Sequence, residues 1–245
     1  MSEFPYPPCE ARMGNVGKTV KMLIMAKQSK TRLFPSQPEP VQGISGFSMY
    51  SDSEPASELD LTDHFLIAMP SMLDPVFGGT VIYLCEHNTN GALGVIVNKV
   101  TDMTMDVLLE RIDLKLEIAA SRTFVENKPV LFGGPVQVER GFVLHAPHGD
   151  YSSTMKVTSE IALTTSKDVL EAVAVGKGPE RILVSLGCAG WSAGQLEDEI
   201  ARNGWLTVRA DSGILFDLAF EERFAAAIKL LGIDPMMLAG EAGHA

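Results

Sequence analysis

"SLGCAGWSAGQLEDEI", residues 185–200, is the stretch on which the fold turns. An apolar run, Arg181-Ile182-Leu183-Val184-Ser185-Leu186, stops at Gly187. Cys188, Gly190 and Trp191 follow before a helical pattern begins. A strand, a glycine turn and a helix start together hold anions on backbone N–H groups or expose a nucleophile. Ser192 and Gln195 have capping-box spacing, and Leu196 and Ile200 fall on one helix face. Glu197, Asp198 and Glu199 lie in the early turns, where the helix dipole favours negative charge, and Asn203-Gly204 closes the helix. A nucleophile elbow needs Gly-x-Ser/Cys-x-Gly; only two residues separate Gly187 from Gly190, so the spacing fails. The acidic turns also oppose a bound phosphate. The stretch reads as a tight turn in which glycine lets Trp191 pack under a sheet, with nucleotide or phosphate capture at 187–195 as the alternative.

Outward from this stretch the chain alternates strands and helices. Phe65–Met69 predicts a short buried strand stopped by Pro70. Thr80–Glu86 and Ala92–Asn98 are β-rich runs around Asn88-Thr89-Asn90-Gly91, and Asn-Gly is the strongest short hairpin signal. Met105–Ile112 predicts a helix capped by Thr104. Val130-Leu131-Phe132, Gly133-Gly134-Pro135 and Gly141–His145 read as strand, turn, strand. Further β structure is expected near Met155–Val157 and Ile161–Leu163, then a helix from a Ser166 cap through Val175, closed by Gly176. Beyond the quoted stretch, Trp205–Val208 predicts a strand and Glu221–Leu231 a helix ended by Gly232.

Cys85-Glu86-His87 ends one of these strands. Period-two alternation puts Val81, Tyr83, Cys85 and His87 on one face, where an imidazole could lower a thiol pKa. Two ligands do not make a metal site, and a buried, inert thiol is the commoner case. His145-Ala146-Pro147-His148 sets two histidines about a proline turn, and no metal is expected there either. Gly133-Gly134-Pro135 permits close backbone approach. If it converges with Asn98 and the 187–191 turn, the result is a ligand pocket lined by Asn98, Gly133, Gly134, Pro135, His145, Gly187, Cys188, Gly190, Trp191 and Gln195. Cys85 and Cys188 are the candidates for redox or thiol-exchange chemistry, which requires an exposed thiol of depressed pKa. No complete catalytic motif is present, so no catalytic residue is assigned.

Composition narrows the class. The chain has 245 residues, 46% of them hydrophobic and 21% charged, enough for a sizeable core. Its net charge of −11 is uneven: residues 1–50 hold six basic and three acidic side chains, a net of +3, which leaves −14 for residues 51–245. Such a body repels phosphate backbones at long range, which argues against direct DNA binding. Three cysteines, Cys9, Cys85 and Cys188, with no Cys-x-x-Cys pair, suit neither a disulfide framework nor a cysteine zinc site. They fit a reducing compartment. No apolar run reaches the ~18 residues of a membrane span, and the N-terminus lacks signal-peptide features. The expectation is a cytoplasmic protein.

Residues 1–60 are rich in proline and serine and poor in periodic apolar residues. They are expected to be a disordered or mis-assigned extension, with Met49 just upstream of the compact pattern. Within them, Val16–Lys27 is basic and mildly amphipathic, which suits an anionic membrane surface or a targeting role. Gly17-Lys18-Thr19 ends like a P-loop, but Arg12 holds the first glycine's place and no strand precedes it.

Several segments together resemble the AlgH/YqgE family of bacterial proteins: Leu61–Pro70, Val81–Asn88, Gly91–Lys99, Phe132–Val136, Gly141–His145, the 185–200 stretch and the closing Leu231-Gly232-Ile233-Asp234. The resemblance implies an α+β fold, a single domain at 61–240 with strongly bent, partly barrel-like mixed β-sheets and helices packed outside, followed by a tail at 241–245. It implies no cofactor. Family members are described as transcriptional regulators, for instance of alginate production. The resemblance, the lack of a complete catalytic motif and the glycine-rich turns together favour a regulatory protein that binds a small molecule or a protein partner over an enzyme, with cysteine-based redox chemistry or nucleotide binding at 187–195 as the alternatives. Three positions depart from the family pattern: Cys188 stands where an aromatic residue, commonly tyrosine, is usual, Ala219 where proline is usual and Phe224 where tryptophan is usual. Cys188 is therefore not expected to be a shared nucleophile.

Overall fold

The computed structural model describes residues 59–117 and 119–233. The expectations for residues 1–58, Val16–Lys27 among them, and for the 241–245 tail lie outside the described residues. In chain order the elements are β1 (His64–Ala68), β2 (Val81–Asn88), β3 (Gly91–Ile96), β4 (Val100–Thr104), α1 (Met105–Arg111), α2 (Ala119–Val125), β5 (Pro129–Phe132), β6 (Val136–Ala146), β7 (Thr154–Lys156), β8 (Ala162–Thr164), α3 (Asp168–Ala174), β9 (Arg181–Ser192), α4 (Gln195–Ala201), β10 (Trp205–Arg209), α5 (Ser212–Phe216) and α6 (Arg223–Leu230). The strands form one ten-stranded sheet in the order β10-β1-β2-β3-β9-β6-β8-β7, with β4 and β5 attached beside β9. It is mixed: β5 runs parallel to β9 and the other pairs are antiparallel. The sheet curls into a half-barrel, and the fold is a single α+β domain. No described helix is long and apolar enough to cross a membrane.

β9 is the hub. Its first half pairs with β6 along one edge and, through Ser185 and Leu186, with β5 along the other; Gly190, Trp191 and Ser192 then pair with β3. The quoted stretch is therefore not a strand followed by a turn, because the strand runs unbroken through Gly187 to Ser192. Gly187 takes φ +76, a left-handed conformation that bends the strand without ending it. β6 bulges at the same level. Val136 pairs with Cys188 and Gly141 with Leu186, so residues 137–140 leave the register. Nor do β5 and β6 form a hairpin, since they lie on opposite edges of β9.

Three apolar clusters hold the curl. One packs Phe65, Tyr83, Val95 and Leu144 against Ala227 and Ile228 of α6. A second packs Leu108, Leu109, Val125 and Val173 of α1, α2 and α3 against Val143 and Val184. The third packs Leu196 of α4 against Leu66, Ile82, Ile96, Trp191 and Trp205. Local signals explain many boundaries. β1 is a continuous buried run. The β2–β3 hairpin closes with Asn88 opposite Gly91, and the Asn88 Oδ1 accepts from Asn90 N. Asn203 and Gly232 end α4 and α6 at φ +57 and +72. Two caps differ from expectation. Thr104 makes no side-chain cap bond, and Met105 N instead donates to Lys128 O. Ser166 precedes the cap position and donates to Asp168 Oδ1, while Lys167 occupies the cap of α3.

Candidate functional site

The glycine-rich segments meet. Because β5 and β6 flank β9 on opposite edges, the link Gly133-Gly134-Pro135 crosses β9, and it does so at Gly187. A Cβ on Gly133 would stand 2.2 Å from the Gly187 carbonyl oxygen, one on Gly134 2.3 Å from the Cys188 carbonyl, and one on Gly187 2.3 Å from the Gly134 oxygen. Gly133 N donates to Leu186 O at 2.8 Å, and Gly133 O accepts from Ile96 N at 2.9 Å. The close approach that glycine permits is taken up by backbone rather than by a guest.

What is open lies one step further along β9. Ala92, Leu93, Val136, Gln137, Cys188, Gly190, Trp191 and Ser192 line a shallow cavity of about 290 Å³. Val136 and Val138 are 41% and 49% exposed. Gln137 between them is held at φ +50, a conformation that costs a residue with a Cβ roughly 1–2 kcal/mol. Cys188 is buried, and burial pushes its thiol up to about 11 in spite of the nearby Arg140. Next to the cavity, Trp191 and Trp205 both donate from Nε1 to Glu199 Oε2, at 2.9 and 2.8 Å, and Gln195 Nε2 donates to Oε1 at 2.9 Å. Burial raises the Glu199 pKa, but these three bonds together outweigh it and hold the carboxyl below its ordinary value. Gln195 Oε1 accepts from both N and Oγ of Ser192, so this side chain ties the strand end to α4. The cap position itself is Gly194 in a left-handed conformation, and the first turn of α4 carries Glu197 and Asp198, charges that oppose an anion there.

Asn98 and His145 lie apart from this cavity. His145 pairs with Ile182, on the order of 16 Å along β9 from Gly187. It is fully buried. Its Nδ1 is 3.1 Å from Pro147 O, which only accepts, so Nδ1 carries the proton and Nε2 accepts from Thr164 Oγ1 at 2.9 Å. Burial lowers its pKa. Asn98 accepts from Val81 N and donates to Gly79 O, which secures the start of β2. The expected pocket is thus divided. Cys188, Gly190 and Trp191 share a cavity, Gly133, Gly134 and Gly187 form the crossing, Pro135 is exposed, Gln195 fastens α4, and Asn98 and His145 are spent on internal bonds.

Cys85 and His87 do not share a face. A bulge between Leu84 and Glu86 shifts the alternation. Cys85 packs into the cluster with Tyr83 and Val95, while His87 turns to α4, with Nε2 3.1 Å from Glu197 Oε1 and Nδ1 accepting from Leu61 N. Burial pushes the Cys85 thiol far up. Both thiols are free, buried and raised, the reverse of what thiol exchange requires. Among the described residues no group of three His, Cys, Asp or Glu side chains is placed to hold a metal. Sequence reasoning missed the 136–140 bulge: Val136 and Val138 carry a strand signal, but nothing local marks their exposure.

Known proteins share this architecture. Residues 65–236 match the family model described as AlgH-like. The UPF0301 protein of Ralstonia nicotianae is 59% identical over 193 residues, 79% of this chain and 100% of that protein. The UPF0301 protein of Cupriavidus metallidurans is 62% identical over 187 residues, 76% of this chain and 96% of that one. The solution structure of the AlgH protein from Pseudomonas aeruginosa aligns with a TM-score of 0.62 at 46% identity, covering 81% of this chain and 100% of that chain. A crystal structure from Corynebacterium diphtheriae, 17% identical, shares the fold with a TM-score of 0.56 over 77% of this chain and 92% of its own. With the curled sheet, its β9 hub and relatives matched over nearly their whole length, this chain belongs to the AlgH-like family.

Proposed function

We propose that this protein is a non-enzymatic binding protein with a regulatory role, which engages a protein partner at the cavity beside the 136–140 bulge and does not hold DNA directly. The observation that carries this reading is the exposed pair Val136 and Val138, presented around a left-handed Gln137 at the edge of an apolar cavity. At about 290 Å³ the cavity falls just under the ~300–1,000 Å³ of small-molecule pockets. It suits one apolar anchor side chain of a partner better than a whole metabolite. The net charge of −14 on residues 51–245 disfavours a phosphate backbone. The free thiols Cys85 and Cys188 suit action in a reducing compartment such as the cytoplasm.

The test places a photo-crosslinking benzoylphenylalanine at position 138 in growing cells, with position 175 on the exposed end of α3 as control. A discrete protein adduct is expected from 138, absent from 175 and suppressed by Val136→Glu. Equal adducts from both positions, or none from 138, reject this surface. Tight, sequence-selective DNA binding in a gel shift at physiological salt would reject the indirect role.

A further inference from the structure

A second opening lies between α1, α2 and the chain that joins them, about 860 Å³ in volume and distinct from the cavity beside Val136. Leu109, Leu114 and Val125 give it an apolar floor, while Asp106, Glu110 and Glu126 line it as exposed carboxylates; Lys115 is the cation that lines it. The cavity beside Val136 has no charged lining residue, and a smaller one by Ser121 and Phe124 has only Glu180. Acidic charge around an apolar floor calls for an occupant that is basic around an apolar body.

The chain carries such a segment. Residues 12–32 hold Arg12, Lys18, Lys21, Lys27, Lys30 and Arg32 and no acidic residue, and Val20-Lys21-Met22-Leu23-Ile24-Met25 supplies the apolar part. We propose that the groove between α1 and α2 is the docking site of the chain's own Val16–Lys27 segment. The chain from Lys27 to Leu59 reaches on the order of 100 Å when extended, more than the roughly 40 Å width of a domain of this size. Tethering presents the segment at on the order of a millimolar, so a basic segment from another protein competes at a disadvantage.

The experiment uses the full chain. Cys85 and Cys188 are buried, so a thiol-reactive nitroxide attaches at Cys9, close to Val16 in sequence. In ¹H–¹⁵N spectra at low ionic strength, the amides of residues 106–116 and 125–127 are expected to lose half or more of their intensity while those of β7 and β8 keep theirs. The loss should vanish at high salt and in Lys18→Glu/Lys21→Glu/Lys27→Glu, and return when Asp106→Lys/Glu110→Lys/Glu126→Lys is added to that triple variant. Absent or uniform broadening, or broadening at Val136–Trp191, overturns the proposal. So does broadening of an unlabelled ¹⁵N chain mixed with a labelled ¹⁴N chain, which points to a second copy. Broadening at the groove that survives the triple Lys→Glu change also overturns it. If vesicles of anionic lipid abolish the groove signal as readily as high salt does, the segment's preferred surface is a membrane and the docking is rejected.

Discussion

At the crossing of β9, Gly133, Gly134 and Gly187 bring two stretches of backbone within contact and leave no space. Between α1 and α2, leucines and carboxylates that form no motif enclose about 860 Å³. Both regions sit against the same strand-and-helix framework, yet the one with the suggestive sequence is closed and the one without it is open. The difference teaches what a run of glycines reports. It reports that something approaches closely, and the approaching group here is another strand. Vacancy depends on where helices stop and how their long side chains splay, and no short motif encodes that.

The harshest test of this contrast is Gly134→Ala. Its Cβ would meet the Cys188 carbonyl at 2.3 Å, in a backbone conformation of φ +146 that L residues rarely adopt. A cost of roughly 4 kcal/mol or more is expected, a large share of the ~5–15 kcal/mol that holds an ordinary domain together. Gly190→Ala, on the same strand, would place its Cβ 4.0 Å from Ala92 O and is expected to stay within ~1 kcal/mol of the parent. Urea denaturation of the pair decides. Equal stabilities would show that the crossing is not what the glycines serve.

A junction filled by charge rather than by backbone gives the next largest effect. Arg223 is buried, donates from Nη1 to Val97 O at 2.7 Å and from Nε to Leu218 O at 3.1 Å, and stacks 4.2 Å from the Phe220 ring. Burial lowers its pKa to about 10, so it remains charged at neutral pH. Arg223→Met leaves the Val97 carbonyl without this donor and is expected to cost roughly 2–4 kcal/mol by thermal or urea unfolding. A cost under ~1 kcal/mol would mean that water replaces the guanidinium and the junction is looser than it looks.

The buried His145 sharpens the contrast through pH. Its folded pKa lies below its unfolded value because burial disfavours the imidazolium. The unfolded chain therefore binds the extra proton first. Its contribution to stability is present above the ordinary histidine pKa of ~6.5 and is lost as pH falls from there toward the folded pKa. His145→Gln is expected to lower stability at neutral pH and to flatten the fall in stability below pH ~6.5, read from denaturation midpoints at a series of pH values. An unchanged slope would place the acid sensitivity elsewhere. Smallest of all, Glu110→Gln and Glu126→Gln on the open groove are expected to shift stability by no more than ~0.5 kcal/mol. A larger loss would make those carboxylates part of the framework rather than of a contact surface.

The amino-acid sequence alone determined what neighbouring residues decide. Asn90-Gly91 set the hairpin, Pro70 the end of the first buried run, and Asn203 and Gly232 the helix stops, because turn dihedrals and short-range periodicity depend on a few adjacent side chains. The ordered set of segments was also enough to place the chain in its family. Tertiary structure decided the rest. A one-residue bulge separated Cys85 from His87, β9 ran through Gly187 because partner strands pair on both of its halves, and Asn98 and His145 were claimed by distant bond partners. Register and pairing belong to residues far apart in the chain, so a local pattern can announce a strand or a glycine but not what will lie against it.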